Sequence, residues 1–341
     1  MKAVFSPLQR KHAPRKVMRY GRLADHPETP RRIDPLLAAL REMEVPVHAP
    51  RILRPEEDCR GVHSLRHIGF LRDVHDQWSR HMGALAPVVP GPHPLVRPAG
   101  YPRSIAGRAG WHMYDSAAPV EATTWKAVSA SAASAVSAAR LLLQGNDPAV
   151  YALCRPPGHH AGFETMGGFC YLNNAALAAR VLGGEFSRVG IIDLGIHHGN
   201  GTQDIFYDRD DVFTISIHVH PDTAYPFYWG REREVGTGAG YGFNLNIPLD
   251  AGADDEIWLG ALEYACKRMA AYRPGALVVA LGMDMMAGDP QGQAVAAVTI
   301  DGVERMACRI RDMKLPTVVV QEGGYDPDNL HDGLIAFLSP W

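Results

Sequence analysis

The sequence predicts one α/β domain, a parallel sheet with helices on both faces. Five apolar runs carry the first part of that expectation: Ala149–Cys154, Val189–Leu194, Val212–Ile217, Ala276–Leu281 and Thr317–Gln321. They are short and apolar, as strands buried on both faces are. Helical stretches at Asn173–Leu182, Asp255–Tyr272 and Gly302–Asp312 fall among them, and strands that alternate with helices build parallel sheets. A length of 341 residues suits a single large α/β domain over 1–341, and 46% apolar residues supply a sizeable core.

In chain order, Met1–Phe5 reads as a first strand and Lys11–Asp25 as a basic, irregular stretch. His26-Pro27-Glu28-Thr29-Pro30 turns into a helix over Arg31–Glu44, with Ile33, Leu36, Leu37 and Leu40 at helical spacing. A mixed stretch around His63 and His67 precedes a helix at Phe70–His81. Residues 82–123 differ in composition, with Pro87, Pro90, Pro92, Pro94, Pro98, Pro102, Pro119 and many glycines. A long loop in a compact domain is usually functional. It reads as an excursion that covers a site or a neighbouring subunit, without regular structure. Thr123–Leu143 reads as an Ala/Ser-rich helix with a Thr cap, stopping at Gln144-Gly145-Asn146.

Composition removes several function classes. A net charge of -3 without a run of like charges leaves no nucleic-acid footprint. No apolar segment is long enough to span a membrane, and the basic N-terminus has no apolar signal region. Five cysteines without CxxC spacing fit free thiols in a reducing compartment, so a cytoplasmic location is expected. Cys154 and Cys170 sit in apolar settings and read as packed.

The chemistry gathers at strand ends. After Ala149–Cys154 come Arg155, His159 and His160; after Val189–Leu194 come Gly195, His197, His198 and Asn200. Asp284 follows Ala276–Leu281, and Glu322 and Tyr325 follow Thr317–Gln321. In an open parallel sheet these loops share one edge, where ligands bind. Alternation along an extended chain puts Asp193, Gly195 and His197 on one side; Gly195 has no side chain to offer. The inventory suits metal-assisted hydrolysis, with an Asp/His metal site, a histidine base and a phenol donor.

The motifs RPPGHHA (Arg155–Ala161), GGFCYLNN (Gly167–Asn174), D-x-G-x-HHGNGTQ (Asp193–Gln203), LGMD…DP (Leu281–Pro290) and EGGY (Glu322–Tyr325) resemble the zinc-dependent histone deacetylase family. HPETPRR (His26–Arg32) resembles it too, and the likeness runs in order through nearly the whole chain. The Pro/Gly-rich excursion looks like that of the bacterial acetylpolyamine amidohydrolase branch. The resemblance implies an arginase/deacetylase-like fold, a sheet of about eight strands, and hydrolysis of an amide by metal-activated water. By position, His159 and His160 match the catalytic pair, with Asp193 and Asn200 behind them. His197 and Asp284 match Zn2+ ligands, and Tyr325 the phenol that polarises the carbonyl. Asp193, His197 and Ser216 match a K+ site built with backbone oxygens. Gly168, Phe169 and Tyr225 match walls of the substrate tunnel, although Phe169 also reads as plain core. The excursion 82–123 implies a homodimer.

Two departures stand out. The family writes Asp-x-Asp-x-His at the central strand end, and its second Asp, a zinc ligand, is Gly195 here. Two ligands hold zinc more weakly than three. The chain is then an amidohydrolase with an altered ligand, inactive or metal-poor as it stands, or a non-catalytic pocket binder, or one in which His198 or Asp289 substitutes. A dinuclear arginase-type site would need more carboxylates near His197. The second departure is Ala106 and Ala117 at positions where polyamine-processing relatives carry acids, with Arg103 and Arg108 nearby. That favours a small, neutral N-acyl or N-alkyl amide, including dimethoate-type amides, over acetylpolyamine or acetyl-lysine.

Overall fold

The computed structural model describes residues 1–341 apart from 20, 83–86, 95–99, 146, 293–294 and 296; Pro98 and Asn146 lie outside the described residues. Ten strands and ten helices are described. The strands are β1 (Lys2–Val4), β2 (Lys16–Arg19), β3 (Arg22–Asp25), β4 (Val47–His48), β5 (Ala149–Ala152), β6 (Val189–Leu194), β7 (Val212–Val219), β8 (Asn244–Leu249), β9 (Ala276–Leu281) and β10 (Thr317–Gln321). The helices are α1 (Ile33–Glu42), α2 (Pro55–Asp58), α3 (Leu65–Met82), α4 (Ile105–His112), α5 (Thr124–Gln144), α6 (Asn174–Leu182), α7 (Asn200–Phe206), α8 (Asp255–Tyr272), α9 (Ile300–Arg311) and α10 (Pro327–Leu338).

Eight strands form one sheet in the order β4-β1-β5-β10-β9-β6-β7-β8, with every pairing parallel. The four strands whose ends carry the chemistry, β5, β10, β9 and β6, are consecutive at its centre. Their side chains alternate between two cores. Val150, Ile191, Val278 and Val318 join α5 and α6 on one face, and Tyr151, Ile192, Val279 and Val319 join α8, α9 and α10 on the other. A strand covered on both sides needs apolar residues at every position, which is why these runs show no polar alternation. Gly190 in β6 lets α8 close on the sheet, since a Cβ there would stand 2.4 Å from the Met269 sulfur.

Several local expectations need correction. Residues 16–25 are not irregular; β2 and β3 pair as an antiparallel hairpin, with Val17 opposite Ala24. The 82–123 excursion carries structure of its own: α4, capped by Ser104, and a bridge between Val88 and Val120. Thr123 does not cap α5 through its side chain, because its hydroxyl donates to the Lys11 carbonyl. β8 ends the sheet, and its Asn-rich, Pro-containing sequence hid it; proline is tolerated there because an edge strand has one unpaired side. Among the described residues no helix is long and apolar enough to cross a membrane, and all five cysteines are free.

Candidate active site

The loop after β5 carries the tandem histidines and docks on α7. The His159 carbonyl accepts the Gly201 and Thr202 amides at 3.0 and 3.1 Å. The two imidazoles lie 4.1 Å apart, centroid to centroid, yet their partners differ. His159 Nδ1 meets the Asp193 carboxylate at 3.1 and 3.2 Å, whereas His160 Nδ1 donates to Asn200 Oδ1 at 2.7 Å. Burial disfavours the charged form of both rings. For His159 the Asp193 charge outweighs burial and raises the pKa to about 9. For His160 burial prevails, helped by the neighbouring His159 and His197, and the pKa falls well below 6.5. An amide oxygen accepts only, so His160 keeps its proton on Nδ1 and leaves Nε2 as a bare acceptor.

β6 and β9 bring the next pair together: His197 Nδ1 and Asp284 Oδ2 are 3.1 Å apart. The second Asp284 oxygen accepts the Ile196 amide at 3.1 Å. Gly195 faces the same carboxylate, since a Cβ built there would lie 3.0 Å from Asp284 Oδ1. Neither substitute ligand is available. His198 turns away to Asn246 Oδ1 at 3.1 Å and stacks near His218. Asp289 spends its oxygens on four backbone amides, those of Gln291, Gly292, Tyr325 and Asp326. As a zinc site, the His197–Asp284 pair fits two converging corners of a tetrahedron, and Gly195 supplies no third side chain. For potassium, Asp193 pairs directly across from Ser216 in the sheet. His218 Nε2 meets the Gly230 carbonyl, so its Nδ1 accepts the Ser216 hydroxyl at 2.9 Å.

A cavity of about 250 Å³ ends on His159, His160, His197, Asp284 and Tyr325. Phe169 is part of its wall and not of the core, with its ring centroid 5.9 Å from that of Tyr325. Gly168 (φ 50°) is required beneath it: a Cβ would stand 2.5 Å from the His160 ring. Tyr225 closes the opposite side, its hydroxyl donating to Asp115 Oδ2 at 2.8 Å. The Tyr325 hydroxyl makes no hydrogen bond to the described residues; burial pushes its pKa well above 10, against the pull of Arg32, so it stays a proton donor.

Sequence reasoning missed three contributors. Asp115, inside the Pro/Gly-rich excursion, also accepts the Gly168 amide. The β2–β3 hairpin supplies Val17 and Met18 to the cavity wall. Nothing in the sequence gives Glu28 and Arg32 of HPETPRR a role. Glu28, fully buried, pairs with Arg32 at 3.0 Å and Arg155 at 2.9 Å. Arg32 then donates to the Glu322 and Gly324 carbonyls, both at 2.6 Å, and lies over the Tyr325 ring. A Glu and an Arg four residues apart, just before a helix, were the available signal.

A parallel α/β domain whose central strand ends carry paired imidazoles, a His–Asp pair and a phenol is a deacetylase-type hydrolase domain. The chain belongs to the histone deacetylase domain family, whose pattern matches residues 26–339. It is 39% identical over 342 residues to an acetylpolyamine amidohydrolase of Burkholderia pseudomallei, covering 99% of this chain and 98% of that protein. It is 40% identical over 331 residues to acetylpolyamine amidohydrolase 1 of Pseudomonas aeruginosa, covering 95% and 94%. The crystal structure of the Burkholderia pseudomallei acetylpolyamine aminohydrolase superposes with a TM-score of 0.94 at 38% identity, over 100% of this chain and 98% of that one.

Proposed function

We propose that the chain hydrolyses a small, neutral N-acyl or N-alkyl amide to a carboxylate and an amine. One observation carries the choice of substrate: the cavity reaches the histidines through a largely apolar wall whose acids are engaged. Asp115 is bound by Tyr225, Gly168 and Ala117, and Asp25 by Lys16. Ala117 itself lines the cavity. A polyammonium chain would need unpaired carboxylates along that path, because a desolvated cation is costly without a partner.

The residues divide the work by their protonation. His160, neutral with Nε2 bare, takes a proton from the attacking water. His159, held cationic by Asp193, gives a proton to the leaving nitrogen. Tyr325 donates its hydroxyl to the carbonyl oxygen as negative charge develops there. Phe169 and Tyr225 hold the acyl group between their rings and exclude water. His197 and Asp284 are the residues that would hold zinc, which supplies polarisation of the carbonyl and a more acidic water when bound. A potassium ion beside Asp193 and Ser216, with the His197 backbone, belongs to the same reading, supported by the facing of those two side chains across β6 and β7. So does a homodimer through residues 82–123, supported by the reach of that segment to the cavity wall at Asp115–Ala117.

The test pairs elemental analysis with a screen of acetyl, trifluoroacetyl and N-methyl amides, run on this chain and on Gly195→Asp. Turnover of neutral amides above acetylated polyamines is expected, greater in the variant. A zinc-loaded Gly195→Asp protein that leaves every amide intact would favour the second reading, a pocket that binds acylated small molecules without cleaving them.

A further inference from the structure

The loop bearing the tandem histidines is held from below by a carboxyl group that does not line the cavity. Glu322 is 0% exposed. Its Oε2 accepts the Gly158 amide at 2.6 Å and the His159 amide at 3.2 Å. Its own backbone is fixed on both sides, with the amide donating to the Leu281 carbonyl at 2.8 Å and the carbonyl accepting Arg32 at 2.6 Å. The side chain therefore spans from the end of β10 to the turn after β5 and ties two neighbouring strand ends together. Gly158 has no room to shift in compensation, because a Cβ there would already lie 2.4 Å from the Asn174 amide nitrogen.

The remaining oxygen, Oε1, is buried and has no hydrogen-bond partner among the described residues. Ligand atoms of His159, Cys170 and Glu322 all lie within 4.8 Å of one another. A buried carboxyl with an unpaired oxygen is costly to keep unless it does something for its neighbours. Burial raises its pKa to about 7, against the opposing pull of His159, so it carries its proton over part of the neutral range. The bond that matters is the one to the two amides, and either a carboxyl or an amide oxygen can accept it.

We propose that Glu322 is a positioning residue for the tandem histidines: by gripping the Gly158 and His159 amides it sets the His159 ring against Asp193. The proposal rests on the amidohydrolase reading for its kinetic consequence and on geometry alone for its structural one. Because Glu322 is outside the cavity, its loss should act on the chemical step and not on substrate affinity.

The experiment compares the parent, Glu322→Gln and Glu322→Ala, each in the full chain. With a trifluoroacetyl amide that the parent cleaves, Glu322→Ala should lose about 10- to 100-fold in kcat, the scale of removing an orienting partner, with KM within about twofold. Glu322→Gln keeps an acceptor oxygen and should recover kcat to within about threefold. Equal impairment of both variants, or an unchanged kcat in Glu322→Ala, overturns the proposal. Nitrogen NMR of the His159 ring, together with exchange of the Gly158 and His159 amides, is measured on the same proteins. The Gln variant should match the parent in both. Loss of amide protection in that variant overturns the proposal, including where Glu322→Ala fails to fold. If no form of the chain cleaves any amide, the amidohydrolase reading fails, and the NMR comparison still decides the role of Glu322.

Discussion

Placing a carboxylate at position 195 should raise zinc affinity by the worth of one ligand. The Cβ of Gly195→Asp would stand 3.0 Å from Asp284 Oδ1, close enough that Asp284 must give by a few tenths of an ångström. Oδ1 accepts one bond, from the Ile196 amide, and Oδ2 meets His197, so the carboxylate must turn slightly against both partners. Structural zinc sites bind with about 10–16 kcal/mol from four ligands, or roughly 3 kcal/mol for each. A third ligand is then worth about 100-fold in Kd. Without metal the same change places a second carboxylate beside Asp284, and two such charges about 4 Å apart repel by about 4 kcal/mol at an effective dielectric of 20, unless one takes a proton. The metal-free variant should melt below the parent, and saturating zinc should lift its Tm by more than it lifts the parent's. Competition against a chromophoric chelator reads the affinity, and calorimetry with and without zinc reads the stability. Affinities within threefold of each other would refute the assignment of His197, Asp284 and position 195 to one ion.

Other outcomes follow from the same geometry. Tyr325→Phe removes the hydroxyl proposed to meet the carbonyl oxygen and should lower kcat by about 100- to 1000-fold with little change in KM, read in a steady-state assay of the active form. Asn200→Asp puts a charge 2.7 Å behind His160 in place of a neutral amide. That carboxylate favours the imidazolium, so the acid limb of the kcat/KM profile, set in the parent by the depressed His160, should move to higher pH by about 1–3 units. The alkaline limb, set by His159 near 9, should stay. Glu28→Gln leaves Arg32 and Arg155 buried without their shared carboxylate and should cost about 3–5 kcal/mol of stability in urea unfolding.

The sheet and the gathering of strand-end loops were legible because burial on both faces writes itself as unbroken apolar runs. The chemistry-bearing residues then follow from where parallel strands end. What stayed hidden depends on pairing rather than pattern. The β2–β3 hairpin is short, basic and partly exposed, so its alternation carries no apolar signal. β4 is two residues at the sheet edge, and β8 is broken in pattern by Asn244, Asn246 and Pro248. Asp115 sits in a stretch that reads as turn chemistry, and only the fold brings it beneath Tyr225. The contacts of Glu28, Arg32 and Glu322 are equally three-dimensional: Glu28 pairs with Arg155 far along the chain, and Arg32 and Glu322 bond backbone groups of distant loops, partners that leave no trace in residue type.

The charges around the histidines also account for how this chain tolerates Gly195. His159 and His160 are adjacent in sequence, in ring contact and both buried, yet one holds a proton to about pH 9 and the other loses it well below 6.5. The difference comes from Asp193 behind the first and Asn200 behind the second. The His159 cation and the His197 ring in turn favour the ionised form of Asp284 against the cost of its burial. Asp193 and Asp284 thus both act on the His159 ring, and Asp284 also meets His197 Nδ1 at 3.1 Å. A carboxylate at 195 would add a negative charge beside Asp284. Under the zinc reading, glycine at that position avoids this repulsion and, by the same stroke, lowers the affinity for the ion.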